Sequence, residues 1–245
     1  LIVGRFLGAE AVAHYGAGIM MLSVIAALGA PVWWMLFPTV AKHIKNQNLE
    51  ACQDAIKHYT MLFVELAFPV LALVVLTANP AISLLLNSPA ENMTVVVLIA
   101  GCAIITSQIT TGWEYYLVTI SSGKRLMTAT VTCSLIGFAV AWHFAPEWGL
   151  IGVTFGMLSG KLGLGLFYAI SANRNGFGGA VWHTKHLALL CVVNAISVSI
   201  TYAGVHYFSY STSTIGQIVI PALIFLSLYG TGRYLLKLAG RHSSI

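Results

Sequence analysis

The chain has 245 residues, of which 58% are hydrophobic and only 8% are charged, and its mean hydropathy is +0.85. Soluble domains carry about 25% charged residues, so a chain this apolar could not keep its surface wetted. The composition therefore predicts an integral membrane protein and excludes a soluble domain. Nothing in the chain resembles a basic groove with stacking aromatic residues, so no nucleic-acid partner is expected despite the net charge of +5.

Seven apolar segments divide the chain. They cover about residues 11–40, 58–77, 94–120, 127–144, 148–172, 187–208 and 214–238. Each is a continuous run near the roughly 20 residues that a membrane helix needs, without the in-and-out alternation of a barrel strand. We therefore predict an all-α, polytopic membrane helix bundle with about seven transmembrane helices. The chain opens at Leu1 within an apolar stretch, which we interpret as the tail of a helix from a longer protein.

Prolines mark the predicted limits of the first two segments. Pro31 and Pro38 are expected to kink or end the first, which is longer than a bilayer requires. Asn79 and Pro80 are expected to stop the second, which leaves residues 81–86 as a separate interfacial turn of helix.

The charges of the loops alternate from one loop to the next. Ten of the twelve basic residues fall on one side if the segments alternate across the membrane, namely Lys42, Lys45, Lys57, Lys124, Arg125, Arg174, Lys185, Arg233, Lys237 and Arg241. The opposite loops contain Glu91 and Glu147 and no Lys or Arg after Arg5. Because basic loops stay on the cytoplasmic side, we predict a multi-pass protein whose C-terminus is cytoplasmic.

The fifth segment, residues 148–172, combines small residues with a single charge. Gly152, Gly156 and Gly160 are spaced four apart, and Lys161 lies near the middle of the segment. Small residues at this spacing let two helix backbones approach closely. The pattern predicts a helix-packing face beside a lysine at the bilayer midplane.

Three ionisable residues lie within predicted spans: Glu65, Glu114 and Lys161. Placing a lysine or an acid at the centre of a membrane helix costs roughly 2.5–3.5 kcal/mol of insertion free energy, so each of these residues needs a partner or a water-filled cavity. Either Lys161 and Glu65 form a buried ion pair, or Lys161 lines a water-filled path and Glu65 holds a coupling ion. Glu114, nearer the cytoplasmic end of its span, is a second candidate for ion coupling or part of an interhelical hydrogen-bonding stripe. Thr154 and Tyr168, seven residues on either side of Lys161, are predicted to face the same cavity.

Several catalytic motifs are absent from the sequence. The chain has no G-x-x-x-x-G-K-[ST] phosphate loop, no G-x-S-x-G elbow and no H-E-x-x-H sequence. No histidine pair has metal-site spacing on one helix, and the short outer loops argue against a membrane glycosyltransferase or polymerase. We therefore expect a protein that is not an enzyme and has no cofactor, with H⁺ or Na⁺ as the candidate coupling ions.

The start of the chain follows a pattern of the form G-x-x-L-G-x-x-x-x-x-x-Y-x-x-A. Gly4, Leu7, Gly8, Tyr15 and Ala17 match it, with Ala17 one position early. The pattern resembles the outer-loop motif of the polysaccharide transporters and O-antigen flippases in the multidrug/oligosaccharidyl-lipid/polysaccharide flippase superfamily.

Two further stretches resemble the same proteins. Residues 36–42 are similar to their FP-x-x-(S/A)-(K/R) helix end, and Gly123-Lys-Arg followed by Trp148-Gly-Leu-Ile-Gly is similar to a cytoplasmic turn and the next outer one. The order of the three stretches implies the C-terminal half of a MATE-like, two-lobe transporter. Residues 1–175 would form the C-terminal lobe, with the tail of one helix and five spans, and residues 176–245 would add two C-terminal helices.

The resemblance implies a transport activity. Such proteins move an oligosaccharide linked to undecaprenyl pyrophosphate across the bacterial inner membrane by alternating access, for surface polysaccharides such as lipopolysaccharide. A cation in the cavity would offset part of the desolvation of the pyrophosphate. Lys161 is the main candidate, and Arg5 and His14 near the outer mouth would add to it. The implied partners are membrane lipids, the lipid-linked glycan and other polysaccharide-assembly proteins.

A second activity in the same superfamily remains open. In a cation-coupled exporter of drugs or other small molecules, Glu65 and Glu114 would carry protons or sodium.

Overall fold

The structure, a computed structural model, describes residues 2–90, 92–120, 123–177, 192–201 and 214–242. Every regular element in this part of the chain is a helix, which confirms the all-α prediction. The helices are α1 (Ile2–Phe6), α2 (Gly8–Lys45), α3 (Leu49–Leu86), α4 (Met93–Ile109), α5 (Thr111–Ile120), α6 (Gly123–Arg174), α7 (Val192–Thr201) and α8 (Thr214–His242).

Within the described residues, four stretches are long and apolar enough to cross a membrane: Gly8–Lys45, Leu49–Leu86, Met93–Ile120 and Gly123–Arg174. The third consists of α4 and α5, with a break at Thr110. The fourth, α6, changes direction at Gly149 and so supplies two arms, residues 123–148 and 150–174. These helices match predicted segments one to five, and α8 matches the seventh. Segment six is described only over α7, and its remainder lies outside the described residues, as do Glu91 and Lys185.

The reversal of α6 depends on the backbone of Gly149. Its φ of 57° and ψ of −134° lie in a region that residues with a Cβ rarely adopt. A Cβ added there would meet no atom within 4 Å, so the glycine is required by its dihedral angles and not by space. The result is an antiparallel hairpin of two membrane-length arms.

The two arms of α6 pack backbone against backbone. A Cβ on Gly156 would lie 2.5 Å from the Ala141 side chain and 2.6 Å from the carbonyl oxygen of Gly137. A Cβ on Gly152 would lie 2.4 Å from the carbonyl oxygen of Phe144. Real Cβ atoms do not approach this closely, so the predicted glycine packing face is confirmed and its partner is the first arm of the same hairpin.

Most buried side chains form one main apolar core, and Val3 of α1 packs with Ala145 and Val153 of α6 in a smaller one. α2, α3 and α4 pack against one another, α4 and α5 pack against α6, and α8 packs against α3. Fully buried side chains fill the centre, including Leu22, Ile25, Leu36, Phe63 and Ile82. Glycines permit close contacts here too, since a Cβ on Gly101 would lie 2.2 Å from Leu71.

Loops from different helices meet at one end of the bundle, which we call the basic end. There Gln53 donates a hydrogen bond of 3.4 Å to the carbonyl oxygen of Gly176, and the Tyr116 hydroxyl donates one of 2.7 Å to that of Asn175. Lys45, at the end of α2, and the start of α6 lie at the same end. The opposite end contains the α3–α4 turn and the Gly149 reversal. Successive loops therefore lie at alternate ends of the bundle, as they must if the predicted spans alternate in direction.

The prediction that Pro80 stops its helix was wrong, and neither Pro31 nor Pro38 ends α2. That either proline of α2 kinks the helix stays a prediction. α3 continues through Pro80 to Leu86, and α2 continues through Pro31 and Pro38 to Lys45. In a membrane bundle, neighbouring helices compensate for the hydrogen bond that proline removes. Beyond Pro80, Ile82 is fully buried, and the Asn79 side chain accepts a 2.9 Å hydrogen bond from the Thr94 amide at the start of α4. These contacts hold residues 81–86 in the helix.

Replacing Gly156 with alanine tests the hairpin. Alanine favours helix by up to about 1 kcal/mol over glycine, but overpacking costs about 1–3 kcal/mol, and here backbone atoms would have to move. We expect Gly156→Ala to lower the thermal unfolding temperature in detergent. Gly163→Ala is the matched control, because its Cβ would lie 3.6 Å from the Cys133 sulfur, an ordinary contact. Equal stability of the two variants would contradict the close packing of the arms.

Candidate functional site

A cavity of about 310 Å³ lies along one side of the α6 hairpin. One wall comes from the N-terminal helices, through Ile2 and Tyr15, and the other comes from both arms of α6. The α6 residues of the lining are Thr130, Cys133, Ser134, Gly137, Phe138, Ala141, Val153, Gly156, Met157, Gly160, Lys161 and Leu164. The cavity therefore joins the start of the chain to its central hairpin.

Among the described residues that line this cavity, Lys161 is the only charged one. It lies about midway along the second arm, between Gly149 and Arg174, and it is half-buried. Its place follows from the glycine face, because Gly156 and Gly160 are packed against the first arm and Lys161 is the next residue around the helix. Lys161, which the sequence predicted at the bilayer midplane, lies on the wall of a cavity in the middle of the hairpin.

Glu114 is the acid whose charge acts on Lys161. It lies in the first turn of α5, which packs against α6, and its interaction with Lys161 is coulombic. Among the described residues, Lys161 has no direct ion-pair partner. The close approach of the helices depends on Gly165, whose Cβ would lie 2.9 Å from a methyl group of Thr110. Of the acids considered from sequence, Glu114 is placed where its charge interacts with that of this lysine.

Glu65 lies on a different face of the bundle. It is half-buried on α3, and the Tyr229 hydroxyl of α8 donates a 3.4 Å hydrogen bond to its backbone carbonyl oxygen. α3 packs against α8 along this face. Its assignment as an ion-coupling residue stays a prediction.

Thr154 and Tyr168 flank Lys161 but do not line this cavity. Thr154 is fully buried, and its hydroxyl donates to the carbonyl oxygens of Leu150 and Ile151 in its own helix. Tyr168 is 3% exposed and belongs to the main apolar core, near the charge of Glu114. Residues seven apart lie on nearly the same face of a helix but about 10 Å apart along its axis, so the three side chains meet different neighbours.

Arg5 and His14 lie at the end of the bundle opposite the basic end, as predicted, but outside the lining. The guanidinium of Arg5 lies 5.2 Å from the ring centre of Trp142, in a cation–π contact. His14 is 8% exposed, and its ring nitrogens contact the Glu10 carbonyl oxygen at 2.9 Å and the Ser88 hydroxyl at 3.2 Å. Both side chains therefore connect elements at this end, and their role toward a substrate stays a prediction.

Tyr15 is a lining residue that sequence reasoning did not assign to the site. It is the tyrosine of the N-terminal pattern, and it lies on the wall of the cavity that faces α6. The pattern itself was the signal that could have found it. Among the described residues, no group of three His, Cys, Asp or Glu side chains is placed to hold a metal ion.

Residues 1–95 match a protein family described as "Polysaccharide biosynthesis protein". The match confirms the resemblance to polysaccharide-assembly membrane proteins over α1, α2, α3 and the start of α4. Comparison with curated proteins gave no match, and comparison with solved structures gave none. Whether the chain is the C-terminal half of a two-lobe transporter, with a boundary at 175, stays a prediction.

The interaction between Glu114 and Lys161 can be measured with a double-mutant cycle. Neutralising either residue with glutamine leaves the other charge without its partner. The loss of unfolding free energy in the double variant should therefore be about 1 kcal/mol smaller than the sum of the losses in the two single variants. The measurement is unfolding of the purified protein in mixed detergent. The control pair is Lys161→Gln with Glu147→Gln, because Glu147 is an exposed acid at the Gly149 end. The effects of these two substitutions on the unfolding free energy should be additive. Additivity of both pairs would show that Glu114 does not act on Lys161.

Proposed function

We propose that this protein, a multi-pass membrane protein whose first 95 residues match a polysaccharide biosynthesis family, moves a lipid-linked oligosaccharide across the membrane by alternating access. The observation that carries the proposal is Lys161, a half-buried cation in a cavity halfway along a membrane hairpin. A cation in this place costs free energy unless water or a ligand reaches it, so its presence favours a functional role.

The charge of Lys161 suits a phosphate-containing link between lipid and sugar. Two opposite charges 4 Å apart attract by about 4 kcal/mol at the effective dielectric constant of a partly exposed site. That attraction would offset part of the cost of taking a pyrophosphate out of water. Glu114 would offset part of the charge of the ammonium group when the cavity contains no substrate.

The size of the cavity determines which part of the substrate it would hold. At about 310 Å³ it is at the lower end of the range for small-molecule sites, so it suits the charged linkage and an adjacent sugar. Tyr15, on the opposite wall, offers an aromatic face and a hydroxyl to a sugar ring. The rest of the glycan and the lipid chain would extend beyond this cavity. The reaction forms and breaks no covalent bond, so the proposed protein is a transporter and not an enzyme.

Ion-coupled export of a small molecule is the second candidate. The observation that favours it is the interaction of Glu114 with Lys161, since protonation of the acid would change the charge of the cavity. Resistance to cationic drugs and the yield of surface polysaccharide, measured in the same cells, separate the two functions.

Substitution of Lys161 tests the proposed function. In cells that depend on this gene for surface polysaccharide, Lys161→Gln should lower the polysaccharide at least about tenfold, because the loss of even 1.4 kcal/mol of stabilisation changes a rate by that factor. Lys161→Arg keeps the charge and should retain most of the wild-type yield.

The control is Lys57→Gln, which removes a cation from the basic end. Lys57 is 27% exposed and forms a 3.9 Å ion pair with Asp54 on the same helix. It should leave the polysaccharide unchanged, and immunoblots should show equal amounts of all variants in the membrane. A wild-type yield from Lys161→Gln at normal protein level would refute the role of Lys161.

A further inference from the structure

A second concave surface, the α6 groove, is lined by the first arm of α6 near the basic end and by Phe167 of the second arm. Its volume is about 480 Å³. It is lined by Lys124, Arg125, Thr128, Ala129, Thr132, Cys133 and Phe167. Only Cys133 is shared with the lining of the Lys161 cavity, so the two surfaces are separate features of the same hairpin.

The rim of the α6 groove is cationic. Lys124 and Arg125 are exposed residues in the first turn of α6, where the helix dipole adds further positive potential. The lining contains no acidic residue. An anion at this rim would contact an ammonium and a guanidinium group together, and the guanidinium can donate two parallel hydrogen bonds to phosphate oxygens.

The floor of the α6 groove is apolar. Below the rim, it continues along the hairpin past Ala129, Cys133 and Phe167. The hydroxyl of Thr128, which lines the groove, donates a 2.9 Å hydrogen bond to the carbonyl oxygen of Lys124. Its hydrogen is therefore already bonded within the helix. A free phosphate ion would leave this floor uncovered, whereas a molecule with a phosphate at one end and a hydrocarbon chain would cover both parts.

We propose that the α6 groove binds one anionic phospholipid from the leaflet at the basic end. Its phosphate would contact Lys124 and Arg125, and one acyl chain would lie along Ala129, Cys133 and Phe167. Basic pockets beside transmembrane helices on the cytoplasmic side are suited to anionic head groups because each cation adds to the attraction. The bound lipid would contact both arms of the hairpin, and the site does not depend on the transported substrate.

Native mass spectrometry of the purified protein tests this site. The protein in mild detergent is titrated with phosphatidylglycerol and with phosphatidylcholine of the same acyl chains. We expect one phosphatidylglycerol to bind at least about tenfold more tightly than phosphatidylcholine. Lys124→Gln combined with Arg125→Gln should abolish that preference, and Lys42→Gln combined with Lys45→Gln, a basic pair on α2 outside the groove, should preserve it.

A second variant tests the place of the acyl chain. Thr132→Trp puts an indole into the groove from an exposed position and should weaken phosphatidylglycerol binding at least about fivefold, since the chain would be displaced. Leu135→Trp, on the same arm and 63% exposed outside the groove, is the control and should bind lipid like the wild type.

Three results would overturn the proposal. One is equal binding of the two lipids by the wild-type protein. Another is an equal loss of preference in the α2 double variant, which would indicate attraction by overall surface charge. The third is full competition by water-soluble glycerol phosphate with no effect of Thr132→Trp, which would indicate a phosphate site without an acyl-chain site.

Discussion

The backbone contact between the two arms of α6 is the constraint on which the rest of the structure depends. Gly156 faces Gly137 at a distance that leaves no room for a side chain, and a Cβ on Gly160 would lie only 3.3 Å from the Cα of Gly137. With the lipid hydrocarbon as solvent, apolar side chains gain little from burial, so close backbone packing has to hold such a hairpin together. The contact also fixes the rotation of the second arm, and that rotation places Lys161 on a cavity wall.

The position of Lys161 joins the fold to the proposed transport. Its cavity has one wall that includes Tyr15 of α2 and another from the two arms of α6. Residues that match the polysaccharide biosynthesis family therefore meet residues outside the match at one site. Glu114 supplies the compensating charge from α5, which packs beside the second arm through Gly165. The ammonium group therefore has an opposite charge nearby without a direct ion pair among the described residues, and Lys161 stays partly exposed.

Much of the helical framework could be predicted from the sequence, because apolar run length and loop charge reflect local requirements of a membrane span. The packing face of Gly152, Gly156 and Gly160 was equally predictable, since small residues at a spacing of four have few other uses. The path of α3 through Pro80 was not, because neighbouring helices decide whether a helix survives a proline. The interaction of Lys161 with Glu114 depends on which helices become neighbours, and this cannot be deduced from the spacing of residues in the sequence.

The central claim is that Lys161 lines a water-accessible cavity within the membrane part of the hairpin. Its most direct test is the reaction of a Lys161→Cys variant, in an otherwise cysteine-free protein in membrane vesicles, with a water-soluble thiol reagent. Leu162→Cys is the matched control, because Leu162 is 46% exposed and lies outside the cavity lining, on the surface that lipid would cover. We predict rapid labelling at position 161 and slow labelling at position 162. Equally slow labelling at both positions would contradict the cavity.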